Sequence, residues 1–150
     1  MSKTILLVED NASDEKLTLL AFKTCGVSND VIVARDGAAA LEFLFSEGPD
    51  SPRADRPLPT LVLLDLKLPK IDGLEVLRRI RGDERTRLLP VIVLTASRED
   101  EDVVNSYQLG ANAYVRKPVE FSEFAQAAKT LGLFWLLLNQ QVPPSATGRK

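Results

Sequence analysis

Four apolar runs in this 150-residue chain each lead straight into a residue that can do chemistry. "TILLV" is followed by Glu9 and Asp10, "TLVLL" by Asp65, "PVIVL" by Thr95 and "AYVR" by Lys117. Any one of these is ordinary, because a strand that reaches water finishes on a polar residue. Together they put three carboxylates, a hydroxyl and an ammonium at one kind of position. Clustered carboxylates repel and raise one another's pKa. A hard divalent cation resolves that, and Mg2+ suits a site of a few carboxylates, waters and phosphate oxygens. Lys117 offers a compact positive charge to a phosphoryl oxygen, and the Thr95 hydroxyl can donate to another. Asp65, flanked by these groups, is placed as a carboxylate nucleophile able to form an aspartyl phosphate.

The elements that would position them are legible in the same runs. "TILLV", "DVIVA", "TLVLLD", "PVIVLT" and "AYVR" are near-continuous in Val, Ile and Leu, the pattern of parallel strands covered on both faces. Helical patterns alternate with them. "SDEKLTLLAFKTCG" places Leu17, Leu20, Ala21 and Thr24 on one face, with Ser13 as N-cap and Gly26 as stop. "DGAAALEFLFSEG", "GLEVLRRIRG" and "REDEDVVNSYQLG" each end near a glycine, and a last helix runs from about Val119. The acids of "REDED" read as favourable charges in a first helical turn. Five β/α units imply an α/β, doubly wound parallel sheet with helices on both faces and right-handed crossovers. Ligands of such sheets bind beyond the carboxyl ends of the strands, where these side chains gather. The proline-rich stretch 46–60 is longer than most αβ connections and reads as an insertion. We expect one domain over residues 1–140 and a flexible tail over 141–150.

Composition narrows the function classes. A net charge of −2 leaves no basic footprint for nucleic acid. The absence of histidine removes Ser-His-Asp and Cys-His catalysis and histidine metal sites, so any phosphohistidine belongs to another protein. One cysteine, Cys25, cannot form an internal disulfide, which makes a reduced, cytoplasmic setting the default. No signal peptide is apparent, and the longest apolar run, "LGLFWLLLN", is short of the ~20 residues of a membrane span. No G-x-G-x-x-G or Walker pattern is present.

The set "LLVEDN", "LVLLDLKLPKIDG", "VIVLTAS" and "AYVRKP" resembles the CheY-like receiver domain of two-component response regulators, over roughly residues 3–138. The resemblance implies a flavodoxin-like sheet of strand order 2-1-3-4-5. It implies that Glu9 and Asp10 hold Mg2+ together with Asp65 and the backbone carbonyl of Lys67. Asp65 would be the phosphoacceptor, and Thr95, next to the small Ala96, the switch hydroxyl. Lys117, before a cis Pro118, would bind the phosphoryl group, and Tyr114 would be the aromatic switch residue. The chain would then be a single-domain regulator rather than an enzyme, fed by a sensor histidine kinase and signalling by contact with an unidentified downstream protein. "VEDNASDEKL", the long loop before the third strand and "FWLLLNQQVP" are similar to stand-alone regulators paired with bacterial and cyanobacterial phytochrome kinases. Two rivals are a non-phosphorylated pseudo-receiver, which would lack one of Asp65, Thr95 and Lys117, and a haloacid dehalogenase-like phosphatase, which needs an acid where Lys67 stands.

The segment "LGLFWLLLN" is apolar on every side, more than one packed face absorbs. It predicts a two-fold homodimer with Phe134, Trp135 and Leu138 in the contact.

Overall fold

The computed structural model describes residues 4–24, 30–46, 58–96 and 99–116, together with 126 and 130. Cys25, Gly26, most of the 46–60 insertion, Lys117, Pro118, the tail and Phe134, Trp135 and Leu138 lie outside the described residues; of the fifth helix, 126 and 130 are described, both helical.

The chain alternates strands and helices in the expected order: β1 (Thr4–Val8), α1 (Ala12–Thr24), β2 (Asp30–Ala34), α2 (Gly37–Phe45), β3 (Leu61–Leu64), α3 (Gly73–Gly82), β4 (Val91–Thr95), α4 (Asp100–Gln108) and β5 (Ala113–Arg116). All strand pairs are parallel, and the sheet order is β2-β1-β3-β4-β5. The chain therefore steps outward from β1 to β2, then back across β1 to β3. That reversal opens a crevice between β1 and β3 at their carboxyl ends.

Strand side chains alternate between two cores because successive Cβ atoms point to opposite faces. Leu6, Val8, Val62, Leu64, Val91 and Val93 pack with Ala40, Leu41 and Leu44 of α2 and Val76, Leu77 and Ile80 of α3. Ile5, Leu7, Leu61, Leu63, Ile92 and Leu94 face the other way and meet Phe22 of α1. Burying an aliphatic side chain of this size contributes about 1.5–3 kcal/mol.

The helix starts are set by capping side chains. Asp36 Oδ1 accepts the Ala39 N–H at 2.6 Å, and Asp72 Oδ1 accepts the Glu75 N–H at 3.1 Å. At α1 the cap is Asn11, whose Oδ1 accepts the Asp14 N–H at 3.0 Å, rather than the expected Ser13. The acidic pair ends β1 so abruptly that the helix begins at Ala12 and Ser13 falls inside its first turn. The inward face of α1 also differs from the expected one. Leu20 is exposed, while Thr18 and Phe22 are buried. Thr18 tolerates burial because its hydroxyl donates to the Asp14 carbonyl at 2.9 Å.

Away from the carboxyl edge, Arg81 ties α3 to the turn after α4. Its guanidinium donates to the carbonyls of Leu89 and Gly110 at 2.7 and 2.8 Å and to Asn112 Oδ1 at 2.9 Å. Burial pushes its pKa down.

Candidate functional site

The parallel register brings the chemistry-bearing strand ends together. Val8 of β1 pairs with Leu64 of β3, and Leu64 with Val93 of β4. The backbone continues the pairing one step further, with the Glu9 N–H donating to Ala34 O and the Asp65 N–H to Val8 O, both at 3.0 Å. Glu9 and Asp65 thus stand side by side just past their strands, and Thr95 closes β4 beside them.

Glu9, Asp10 and Asp65 each present a carboxylate oxygen within 4.8 Å of the others. Glu9 and Asp65 are buried, whereas Asp10 is exposed. Glu9 is oriented by the Asn11 N–H, which donates to its Oε2 at 3.3 Å. Asp65 Oδ1 accepts the fully buried Thr95 hydroxyl at 2.6 Å and the Lys67 N–H at 3.2 Å. The donor set fits Mg2+. It is all oxygen, three carboxylates from neighbouring strand ends close enough to turn towards one hard cation. An open cleft of about 640 Å3 gives access to it, lined by Asp10–Asp14, Asp65, Lys67, Thr95 and Ala96.

The loop from β3 to α3 holds Asp65 in place. The Gly73 N–H donates to Leu66 O at 2.9 Å, folding the loop back on itself. Gly73 has to be glycine there, because a Cβ would stand 2.3 Å from the Asp65 carbonyl oxygen. Lys70 takes a positive φ of 68° in the same loop, unusual for a side chain that is not glycine.

Of the residues singled out from sequence, Glu9, Asp10, Asp65 and Thr95 converge. Lys67 joins them through its backbone N–H, but its ammonium points elsewhere, 3.7 Å from Asp102 Oδ2 of α4. Tyr114 lies on β5 opposite Val93, half-buried against the core, with its hydroxyl buried and without a hydrogen-bond partner among the described residues. Lys117 follows β5 but lies outside the described residues. Sequence reasoning missed Asn11 and Asp14 as walls of the cleft, and it missed Asp102. The first two could have been found, since they sit in the turn after the acidic pair. Asp102 carried no such signal: among four consecutive acids, only the fold selects the one that turns inward.

Residues 5–129 match the family model of the response regulator receiver domain. The response regulator Rcp1 of Synechocystis is 40% identical over 136 residues, covering 89% of each chain. Its Mn2+-bound crystal structure superposes with a TM-score of 0.85 over 94% of this chain and 99% of that one. The phosphorylated cyanobacterial phytochrome response regulator RcpA gives a TM-score of 0.88 at 38% identity, covering 95% and 100%. The bacteriophytochrome response regulator RtBRR is 51% identical, with a TM-score of 0.74, covering 99% and 90%.

Proposed function

The chain belongs to the response regulator receiver domain family, and from that premise we propose that Asp65 is the residue that takes the phosphoryl group. Regulators of this family receive it from a histidine kinase. An oxygen of Asp65 attacks phosphorus on the kinase's phosphohistidine. The new P–O bond forms as the P–N bond breaks, and the electron pair leaves with the imidazole nitrogen, which takes up a proton from water. The observation that carries the assignment is the setting of Asp65: buried, gripped by the Thr95 hydroxyl at 2.6 Å, and within 4.8 Å of two more carboxylates.

The other residues divide the remaining work. Glu9, Asp10, Asp65 and the Lys67 carbonyl would hold Mg2+, which when bound neutralises phosphoryl charge and orients the group for in-line attack. Thr95 exchanges the Asp65 carboxylate for a phosphoryl oxygen, since a hydroxyl can follow the charge by a small rotation. Lys117 supplies the cation that balances the new dianion. Tyr114 follows Thr95; its hydroxyl, buried and without a hydrogen-bond partner among the described residues, belongs to a side chain with another position to gain. The result is a population shift of the face made by α4, β5 and the fifth helix towards a partner-binding state. The kinase that fits best is a bacteriophytochrome, a reading supported by RcpA and RtBRR, two similar proteins whose names carry that pathway. No described helix is long and apolar enough to cross a membrane.

Phosphotransfer from purified kinases, scored by radiolabel on the wild type and on Asp65→Asn, tests the reading. The amide is isosteric and lacks the attacking oxygen, so label should vanish while the fold persists. Undiminished labelling of Asp65→Asn removes Asp65 from the mechanism. Preferential transfer from a non-phytochrome kinase removes the finer partner assignment.

A further inference from the structure

Lys67 stands on the wall between two clefts. One is the acidic cleft described above; the other, about 290 Å3, runs between the β3–α3 loop and α4 and is lined by Leu66, Leu68, Asp72, Leu74 and Asp102 as well as Lys67. The residue touches the acceptor through its backbone, where the N–H reaches Asp65 Oδ1, and touches α4 through its side chain, where the ammonium meets Asp102. The two ends of that ion pair differ sharply. The Asp102 side chain is 11% exposed, while that of Lys67 is 67% exposed and has room to swing. Asp102 also follows Glu99, Asp100 and Glu101. The helix dipole favours acids in a first turn, and the cation beside this nearly buried carboxylate adds to its stabilisation among like charges.

We propose that Lys67 exchanges its ammonium between Asp102 and the phosphorylated Asp65, so that phosphorylation strips α4 of a cation and loosens its first turn. The proposal rests on Asp65 being the acceptor. An aspartyl phosphate carries about −1.5 to −2 charge against −1 for Asp102, and attraction at a few ångströms scales with that charge. Asp102 is then a positioning residue, acting through Lys67. This route is electrostatic and ends at the amino terminus of α4. The Thr95–Tyr114 route is steric and ends on β5.

Hydrogen exchange on the full chain, with and without acetyl phosphate and Mg2+, reads the first turn of α4 in peptides covering 99–108. Intact mass reports how much phosphoryl group is bound. In the wild type, exchange there should quicken roughly two- to fivefold on phosphorylation, the scale of a pair of this exposure. Asp102→Asn should gain the same mass and lose that phosphorylation-dependent difference, and Asp102→Glu should restore it. A merely structural Asp102 would speed exchange in both states and keep the difference, which overturns the proposal. Mass gain in the wild type with unchanged exchange at α4 also overturns it, leaving the acceptor assignment intact. No mass gain at all sinks the acceptor assignment and the exchange together.

Discussion

A carboxylate in the role proposed for Asp65 has to be held still and yet stay reachable, and its neighbours divide that task. Thr95 and the Lys67 N–H hold Asp65 Oδ1, and Asp10 keeps the cleft polar and open to water. Glu9 is buried beside it, so a cation held in the cluster would be shared by two inner acids. Asp10→Asn and Glu9→Gln each remove one negative ligand from this cluster. Each should weaken Mg2+ binding by roughly tenfold or more in a calorimetric titration, and an unchanged affinity in both would contradict the acidic site. A carboxylate with a shifted pKa lies in the first turn of α3. Arg78 and Arg79 hydrogen-bond the Glu75 carboxylate and hold its pKa at about 2, below the usual 4.5. Because the folded value is depressed, the stabilisation is complete above about pH 4.5 and is lost as pH falls through about 2. The stability difference between the wild type and Glu75→Gln, measured by urea melts, should be level above about pH 5 and shrink towards pH 2.

Among the elements, α3 matters most to the site, since its first residue is the floor on which the acceptor loop rests. Gly73 and Gly82 stand at its two ends and predict opposite signs for the same substitution. Alanine is the better helix former by about 1 kcal/mol, so Gly82→Ala, with nothing within 4 Å of the new Cβ, should stabilise by up to that amount. At Gly73 the new Cβ would meet Asp65 O at 2.3 Å and Leu66 Cα at 2.6 Å, both backbone. Gly73→Ala should cost about 1–3 kcal/mol and slow labelling of Asp65, because the clash pushes on the acceptor's own peptide. Denaturant melts and initial labelling rates check both variants. If Gly73→Ala labels at the wild-type rate, the loop is more compliant than its contacts indicate.

At the scale of the whole molecule, the apolar run after residue 130 asks what covers it. We propose a second copy of the chain, symmetric about a two-fold axis, with Phe134, Trp135 and Leu138 at its centre. Aromatic residues suit the dry middle of such a contact. Phe134→Asp combined with Trp135→Lys should give a folded monomer by light scattering where the wild type is a dimer. A wild type already monomeric at micromolar concentration, phosphorylated or not, would leave the apolar run to pack within its own chain.

The sheet and the acidic edge were legible in sequence because they rest on local signals. A strand covered on both faces reads as unbroken Val, Ile and Leu, and a functional acid at its end breaks that run visibly, as at Asp65. The strand order followed from the motifs that accompany it. The phase of α1 was harder to read, since Leu20 looks like a core residue and Thr18 does not until its hydroxyl finds the carbonyl of Asp14. The direction of a long side chain was not legible at all. Lys67 sits two residues after the acceptor, and sequence puts its backbone at the site. Only the packing of α4 against the β3–α3 loop decides that its ammonium meets Asp102, for a flexible cation goes to the nearest charge that the tertiary fold provides.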